Sequence, residues 1–82
     1  MKTIFEKVRT EIADYTGVEI DKITKETNIF DDLGFDSLGV IGFGMKLMSA
    51  FEGVEIPLER LSMIRTVGEF CEEIEKITSG DD

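Results

Sequence analysis

Asp31-Asp32-Leu33-Gly34-Phe35-Asp36-Ser37-Leu38 is the stretch on which the reading of this chain turns. Asp36 is a good N-cap, because its carboxylate can accept from the free N–H groups that open a helix. Ser37 then falls in the first turn, beside those N–H groups and the positive end of the helix dipole. A phosphate ester on its hydroxyl is favourably placed there. The chain has no His and a single Cys, so no base is available to activate the hydroxyl. Ser37 is a poor nucleophile and a better acceptor of a group installed by another enzyme. Taken alone, Asp36-Ser37-Leu38 reads as ordinary helix-capping chemistry, and the wider context is needed to say more.

Downstream, a helix is expected from residue 36 or 37 to residue 51. Leu38, Val40, Ile41, Phe43, Met45, Leu47, Met48 and Phe51 cover an arc of roughly 220° at helical spacing. The remaining stripe is Gly39, Gly42, Lys46, Ser49 and Ala50. Gly39, Gly42 and Gly44 each cost about 1 kcal/mol against Ala in a helix interior, so packing rather than propensity must hold this helix. Bare backbone open to a partner and a flexible helix tolerated by a good core explain these glycines equally well.

Upstream, residues 18–35 form a long connection. Ile20, Ile23, Ile29, Phe30, Leu33 and Phe35 follow neither a 3.6 nor a 2.0 period, yet they are too apolar for a solvated loop. The expectation is a structured loop laid over the bundle. Before it, Thr3-Ile4-Phe5-Glu6 has the form of a capping box, Ile4, Phe5, Val8, Ile12 and Tyr15 keep helical spacing, and Gly17 stops the helix.

Beyond the central helix, Glu52-Gly53 ends it, and Pro57 fits the first turn of a short third helix with Leu58, Leu61 and Ile64 on its apolar side. Thr66-Val67-Gly68-Glu69 is a second capping box. Val67, Phe70, Cys71, Ile74 and Ile77 then share one face. No segment alternates like a strand. The expected fold is all-α, a small four-helix bundle of three longer helices and a short third one. Residues 79–82 are expected to fray.

Composition limits the functions. The 82 residues carry 18 acidic and 9 basic side chains, a net charge of -9. One domain spanning residues 1–82 is expected, with one core and no room for a deep walled active site. The charge disfavours nucleic acid and anionic membrane surfaces and favours partners with basic patches. With no His and one Cys, a Ser-His-Asp triad, a Cys-His pair and a Cys/His zinc site are excluded, and a hydrolase reading fails for want of a general base near Ser37. Cys71 cannot pair within the chain, which points to a cytoplasmic protein. It is expected to be a buried small hydrophobe. The N-terminus does not read as a signal peptide, and no apolar run is long enough to span a bilayer. Asp31, Asp32 and Asp36 do not match a calcium loop, and no dedicated metal site is expected.

Leu33-Gly34-Phe35-Asp36-Ser37-Leu38, after an acidic pair and midway along an acidic helical chain, resembles the acyl carrier protein family. Phe30-Asp31-Asp32-Leu33-Gly34 looks like that family's lead-in to its modified serine. Met45, Leu47 and Phe51 look like its second-helix core. Glu55-Ile56-Pro57 and Thr66-Val67 look like its entries to the third and last helices. The resemblance covers nearly the whole chain.

The resemblance implies that a phosphopantetheinyl transferase moves 4′-phosphopantetheine from coenzyme A onto Ser37, with Asp36 and Leu38 in its recognition. The arm's thiol, not Cys71, then holds acyl groups for partner enzymes of the ketosynthase or acyltransferase type, and the protein itself catalyses nothing. Positions matching the family's acyl pocket are Ile29, Phe30, Leu47, Ile56, Leu61 and Ile64. The pathway implied is fatty-acid, polyketide or specialised lipid synthesis. A monomer is the default expectation, with the neutral Gly-rich stripe leaving room for self-association.

The chain departs from the family in two places. Typical members carry acids on the second helix just after the serine. Here that stripe is Gly39, Gly42, Lys46 and Ser49, and Lys46 is the only charged side chain between residues 37 and 51. Gly39, Gly42, Lys46, Met45 and Met48 are the expected partner surface. One extra residue also stands between Phe51 and Glu55-Ile56-Pro57. A helical interaction module without any modification is the alternative from a different functional class.

Overall fold

A computed structural model of the chain describes residues 3–79. The first helix, α1, spans Ile4–Thr16. Its capping box forms as expected: the Thr3 hydroxyl accepts from the Glu6 N–H, and the Glu6 carboxylate accepts from the Thr3 N–H. Gly17 ends it with a φ of 79°, a left-handed conformation that Gly adopts without steric cost, and its N–H closes on the Ala13 carbonyl. Val8 and Ile12 are the residues α1 buries.

The loop to α2 is structured, and its apolar residues decide its course. A single 3-10 turn at Ile20–Lys22 leads into Ile23 and Ile29, both fully buried. Ile20 itself stays largely exposed, with its carbonyl accepting from the Arg9 guanidinium at 2.9 Å. The loop is sewn along its edge to the α3–α4 connection. Ile29 N–H donates to the Arg65 carbonyl, Val67 N–H to that of Thr27, and Gly68 N–H to that of Lys25. These bonds create one isolated antiparallel bridge between Asn28 and Thr66. Among the described residues this is the nearest approach to a sheet.

Helix α2 spans Ser37–Ala50 with Asp36 as N-cap and Phe51 as C-cap, one residue shorter than its apolar pattern suggests. It buries Val40, Phe43, Gly44 and Leu47. The broad apolar arc is therefore not all core. Met45 is 61% exposed and Leu38 79% exposed, which corrects the placing of Met45 among the second-helix core residues. An arc of roughly 220° exceeds what a helix at the edge of a small bundle can cover with neighbours.

Pro57 is the N-cap of α3, Leu58–Leu61, rather than a residue of its first turn; its ψ of 148° is extended. Leu61 and Ile64 are buried, but Leu58 is 60% exposed and does not share their side. A single turn cannot turn all three positions inward. Helix α4, Val67–Thr78, opens with the second capping box, Thr66 and Glu69 exchanging bonds of 3.2 and 3.0 Å. It buries Val67, Phe70, Cys71 and Ile74. Of the residues expected to fray, Ser79 caps the end of α4, its N–H donating to the Glu75 carbonyl at 2.9 Å. Residues 80–82 lie outside the described residues. The helices and the loop enclose one apolar cluster, and among the described residues no helix is long and apolar enough to cross a membrane.

Candidate functional site

The approach to Ser37 is built by a turn that begins at Asn28. Its side-chain oxygen accepts from the N–H groups of Phe30 and Asp31 at 2.9 and 2.8 Å. Asp32 returns the contact, its carboxylate accepting from the Asn28 N–H at 2.8 Å. This is a helix-cap arrangement applied to one turn of loop. Asn28 escaped the sequence reading. An Asn followed three and four residues later by acids is the signal that marks it.

The turn ends at Gly34, whose φ of 75° reverses the chain. Phe35 N–H then donates to the Ile29 carbonyl at 3.0 Å. Phe35 is thereby set against Tyr15, centroids 5.8 Å apart, and against Phe43 at 5.6 Å. The next residue, Asp36, is extended, and its carboxylate caps α2 by accepting from Gly39 N–H at 2.7 Å. Ser37 and Leu38 follow on the surface.

The site can take an anionic group. The Gly39 amide is spoken for by Asp36, and the Val40 amide by the Asp36 carbonyl. The amides of Ser37 and Leu38 have no carbonyl a turn behind them within the helix. They point out of the positive end of α2, beside the exposed hydroxyl. A Cβ at position 39 would lie 3.1 Å from the capping carboxylate oxygen, so Gly39 lets that carboxylate sit close over the first turn. Among the described residues no three His, Cys, Asp or Glu side chains are grouped to hold a metal ion.

A model of the family described as phosphopantetheine attachment site matches residues 6–74. The chain belongs to the phosphopantetheine-binding carrier family. It is a non-catalytic carrier domain, and the group it bears is covalent 4′-phosphopantetheine. The residues present suit that group: an exposed hydroxyl at the start of a capped helix, with free amides beside it for a phosphodiester.

Other residues singled out from the sequence fall into three places in this carrier. Ile29, Leu47, Ile56, Leu61 and Ile64 all lie in the apolar cluster, and Phe30 packs on its edge beneath the Arg65 guanidinium, 5.4 Å from the ring centroid. Gly42 and Lys46 face α1. A Cβ at Gly42 would meet the Tyr15 hydroxyl at 3.1 Å, and the Lys46 ammonium pairs with Glu11 at 3.3 Å and Asp14 at 3.7 Å. Such partly exposed pairs contribute at most about 1 kcal/mol, but they neutralise the one charge on α2. Met48 is half-buried, and its sulfur accepts the Ile56 N–H at 3.4 Å. Close internal approaches, rather than looseness, thus account for Gly39, Gly42 and Gly44, the last of which lies against Leu61.

Cys71 is buried on α4, and burial pushes its thiol up to about 11 from an ordinary 9.0, despite the opposing charge of Lys25. The thiolate is the reactive form, so this thiol is inert near neutral pH. In native protein bearing the arm, a thiol-reactive disulfide will titrate one thiol per chain, and the second will appear only on denaturation. Two native thiols would show that Cys71 is reached. Because the folded-state value is raised, native stability gained from the neutral thiol is intact below about pH 9 and is lost as pH climbs through about 11.

Proposed function

We propose that Ser37 is the attachment residue, flanked by Asp36 and Leu38 for recognition by the transferase, and that the carrier serves a dedicated acyl-thioester pathway rather than general fatty-acid synthesis. The observation that supports the attachment is the place of Ser37: exposed, one residue after a capping carboxylate, on a helix start fixed by Gly34 and Phe35. When bound, the arm supplies a terminal thiol that holds acyl groups as thioesters. The protein's own residues do the rest. Asp36 holds the helix start in shape, Phe35 anchors it on Tyr15 and Phe43, and the exposed Leu38 and Met45 offer apolar contact to the enzymes that load or unload the arm.

The dedicated pathway is read from α2. Its face carries no acid, and its single base is tied to Glu11 and Asp14, so partners that recognise carriers through basic side chains find little on this helix. Partners of the ketosynthase and acyltransferase type that fit it present a more apolar surface, and the carrier meets them as a monomer. To test this, the loaded protein and a general fatty-acid carrier are offered to the same fatty-acid ketosynthase. The dedicated carrier is expected to be elongated at least tenfold less efficiently. Equal efficiency would return it to general fatty-acid synthesis. Ser37→Ala in the same assay forms no thioester if the attachment is correctly placed.

A further inference from the structure

Helix α2 carries two bare α-carbons in its first two turns, Gly39 and Gly42, one turn apart on the same side. An aromatic side chain reaches each of them. A Cβ at position 39 would stand 3.9 Å from the Cβ and Cγ of Phe35, and one at position 42 would stand 3.1 Å from the Tyr15 hydroxyl. Tyr15 is the penultimate residue of α1, and its ring lies 5.8 Å from that of Phe35 and 5.4 Å from that of Phe43. Phe43 is fully buried and Phe35 half-buried, whereas Tyr15 is 46% exposed. Tyr15 is therefore the outer member of the stack, lying over Gly42 and against Phe35.

This place ties Tyr15 to Ser37. Phe35 stands one residue before the capping carboxylate and two before the hydroxyl. Its N–H is fixed by the Ile29 carbonyl, but its ring is held by Tyr15 and Phe43. The helix behind the hydroxyl is weak in its own right, because each glycine there favours the unfolded chain over the helix. Rings docked on those glycines stand in for the missing side chains. Without Tyr15 the first two turns of α2 open more often, and Ser37 moves with them.

Resting on Ser37 as the attachment residue, we infer that Tyr15 is a positioning residue for its modification: by covering Gly42 and holding Phe35 it keeps the start of α2 in the shape that a transferase accepts. In that reaction the Ser37 oxygen bonds to the phosphorus bearing the pantetheine, the pyrophosphate bond of coenzyme A breaks, adenosine bisphosphate leaves, and the hydroxyl proton passes to a base of the transferase. Tyr15 acts only through Phe35 and Gly42. It sets the fraction of the chain that is competent to bind, which scales the apparent affinity and leaves the bound complex unchanged.

The test follows transfer of phosphopantetheine from coenzyme A to the full chain by one broad-specificity transferase, read by intact mass at varied carrier concentration. Tyr15→Ala, or Tyr15→Leu should the smaller side chain prevent folding, is expected to raise KM for the carrier about tenfold, with kcat within about twofold of wild type. Tyr15→Phe keeps the ring and is expected to recover most of that loss. Gly42→Ala separates positioning from direct contact. In the wild type its methyl meets the Tyr15 hydroxyl; in Tyr15→Ala the space is free, and the methyl raises helix propensity. Adding Gly42→Ala to Tyr15→Ala is therefore expected to restore most of the lost affinity, a coupling that a double-mutant cycle reads directly. Hydrogen exchange of the Val40 and Ile41 amides should quicken in Tyr15→Ala by a larger factor than that of Ile74 in α4, and slow again in the double variant. An unchanged KM in Tyr15→Ala would overturn the inference, as would a loss confined to kcat. So would a raised KM that Gly42→Ala does not recover, which would make Tyr15 a contact of the transferase itself. A wild type that gains no mass would instead overturn the attachment at Ser37, a separate and visible outcome.

Discussion

Incubated with coenzyme A and a broad-specificity phosphopantetheinyl transferase, the wild-type chain will gain one phosphopantetheine in intact mass and Ser37→Ala will gain none. The expected effect is complete, because the substitution removes the oxygen that forms the phosphodiester. It is also cleanly separable from folding. Ser37 is exposed, the cap of α2 belongs to Asp36, and surface changes away from such features stay within about 0.5 kcal/mol. The Ser37→Ala protein should therefore melt with the wild type. Asp36→Ala behaves differently. It loses the bond to the Gly39 amide, about 1 kcal/mol of helix stability, and with it the shape of the helix start, so modification slows without being abolished. An unmodified interaction module makes the opposite forecast: neither protein gains mass, and Ser37→Ala keeps full function.

Phe43→Ala will be the most destabilising single substitution in α2. The ring is fully buried and sits at the junction of four aromatic side chains, 5.4 Å from Tyr15, 5.6 Å from Phe35 and 5.4 Å from Phe70. It thus joins α1, the loop before the serine, and α4 to the middle of α2. Truncating such a ring costs about 3–5 kcal/mol through lost burial and the cavity left behind. The edge-to-face contacts add about 0.5–1.5 kcal/mol per pair beyond area alone. Against a total of about 5–15 kcal/mol, that leaves a marginal fold. The thermal midpoint should fall by about 15–30 °C, and the urea midpoint should fall with little change in slope. Phe43→Leu, which keeps much of the volume but loses the ring contacts, should cost less than Phe43→Ala. A loss near 1 kcal/mol for Phe43→Ala would mean that the neighbouring rings close over the gap and that α2 is held elsewhere. The substitution also bears on function, because Phe35 rests on this ring and sets the start of α2.

The two capping boxes, the Gly17 stop and the apolar faces of α1 and α4 could all be read from the chain, because each depends on residues within one or two turns of one another. The place of Ser37 at the capped start of α2 was legible for the same reason, whereas its role as attachment residue came from the family resemblance and stands as a proposal. The four-helix outline followed once those boundaries were placed. The order of the loop was legible only in part. Its apolar residues announced that it packs, but Asn28 was silent, since its role lies in a pairing with Thr66 across the fold and in a turn whose partner is Asp32.

What the sequence by itself determined was where α1 begins and ends, where α2 and α4 begin, and which hydroxyl stands at the start of α2. Which side of α2 is inside was decided by the tertiary structure. Eight apolar residues and three glycines on that helix allow several rotations. The choice rests on what the neighbours supply: Phe35 and Phe70 for Phe43, Leu61 for the gap at Gly44, the Tyr15 hydroxyl for Gly42, and the α1 acids for Lys46. Met45 and Leu58 were left outside because no neighbour reaches them, although their apolarity matches that of residues buried beside them. Helical spacing fixes relative directions along one element. It carries no information on where the next element stands, and burial is a property of both.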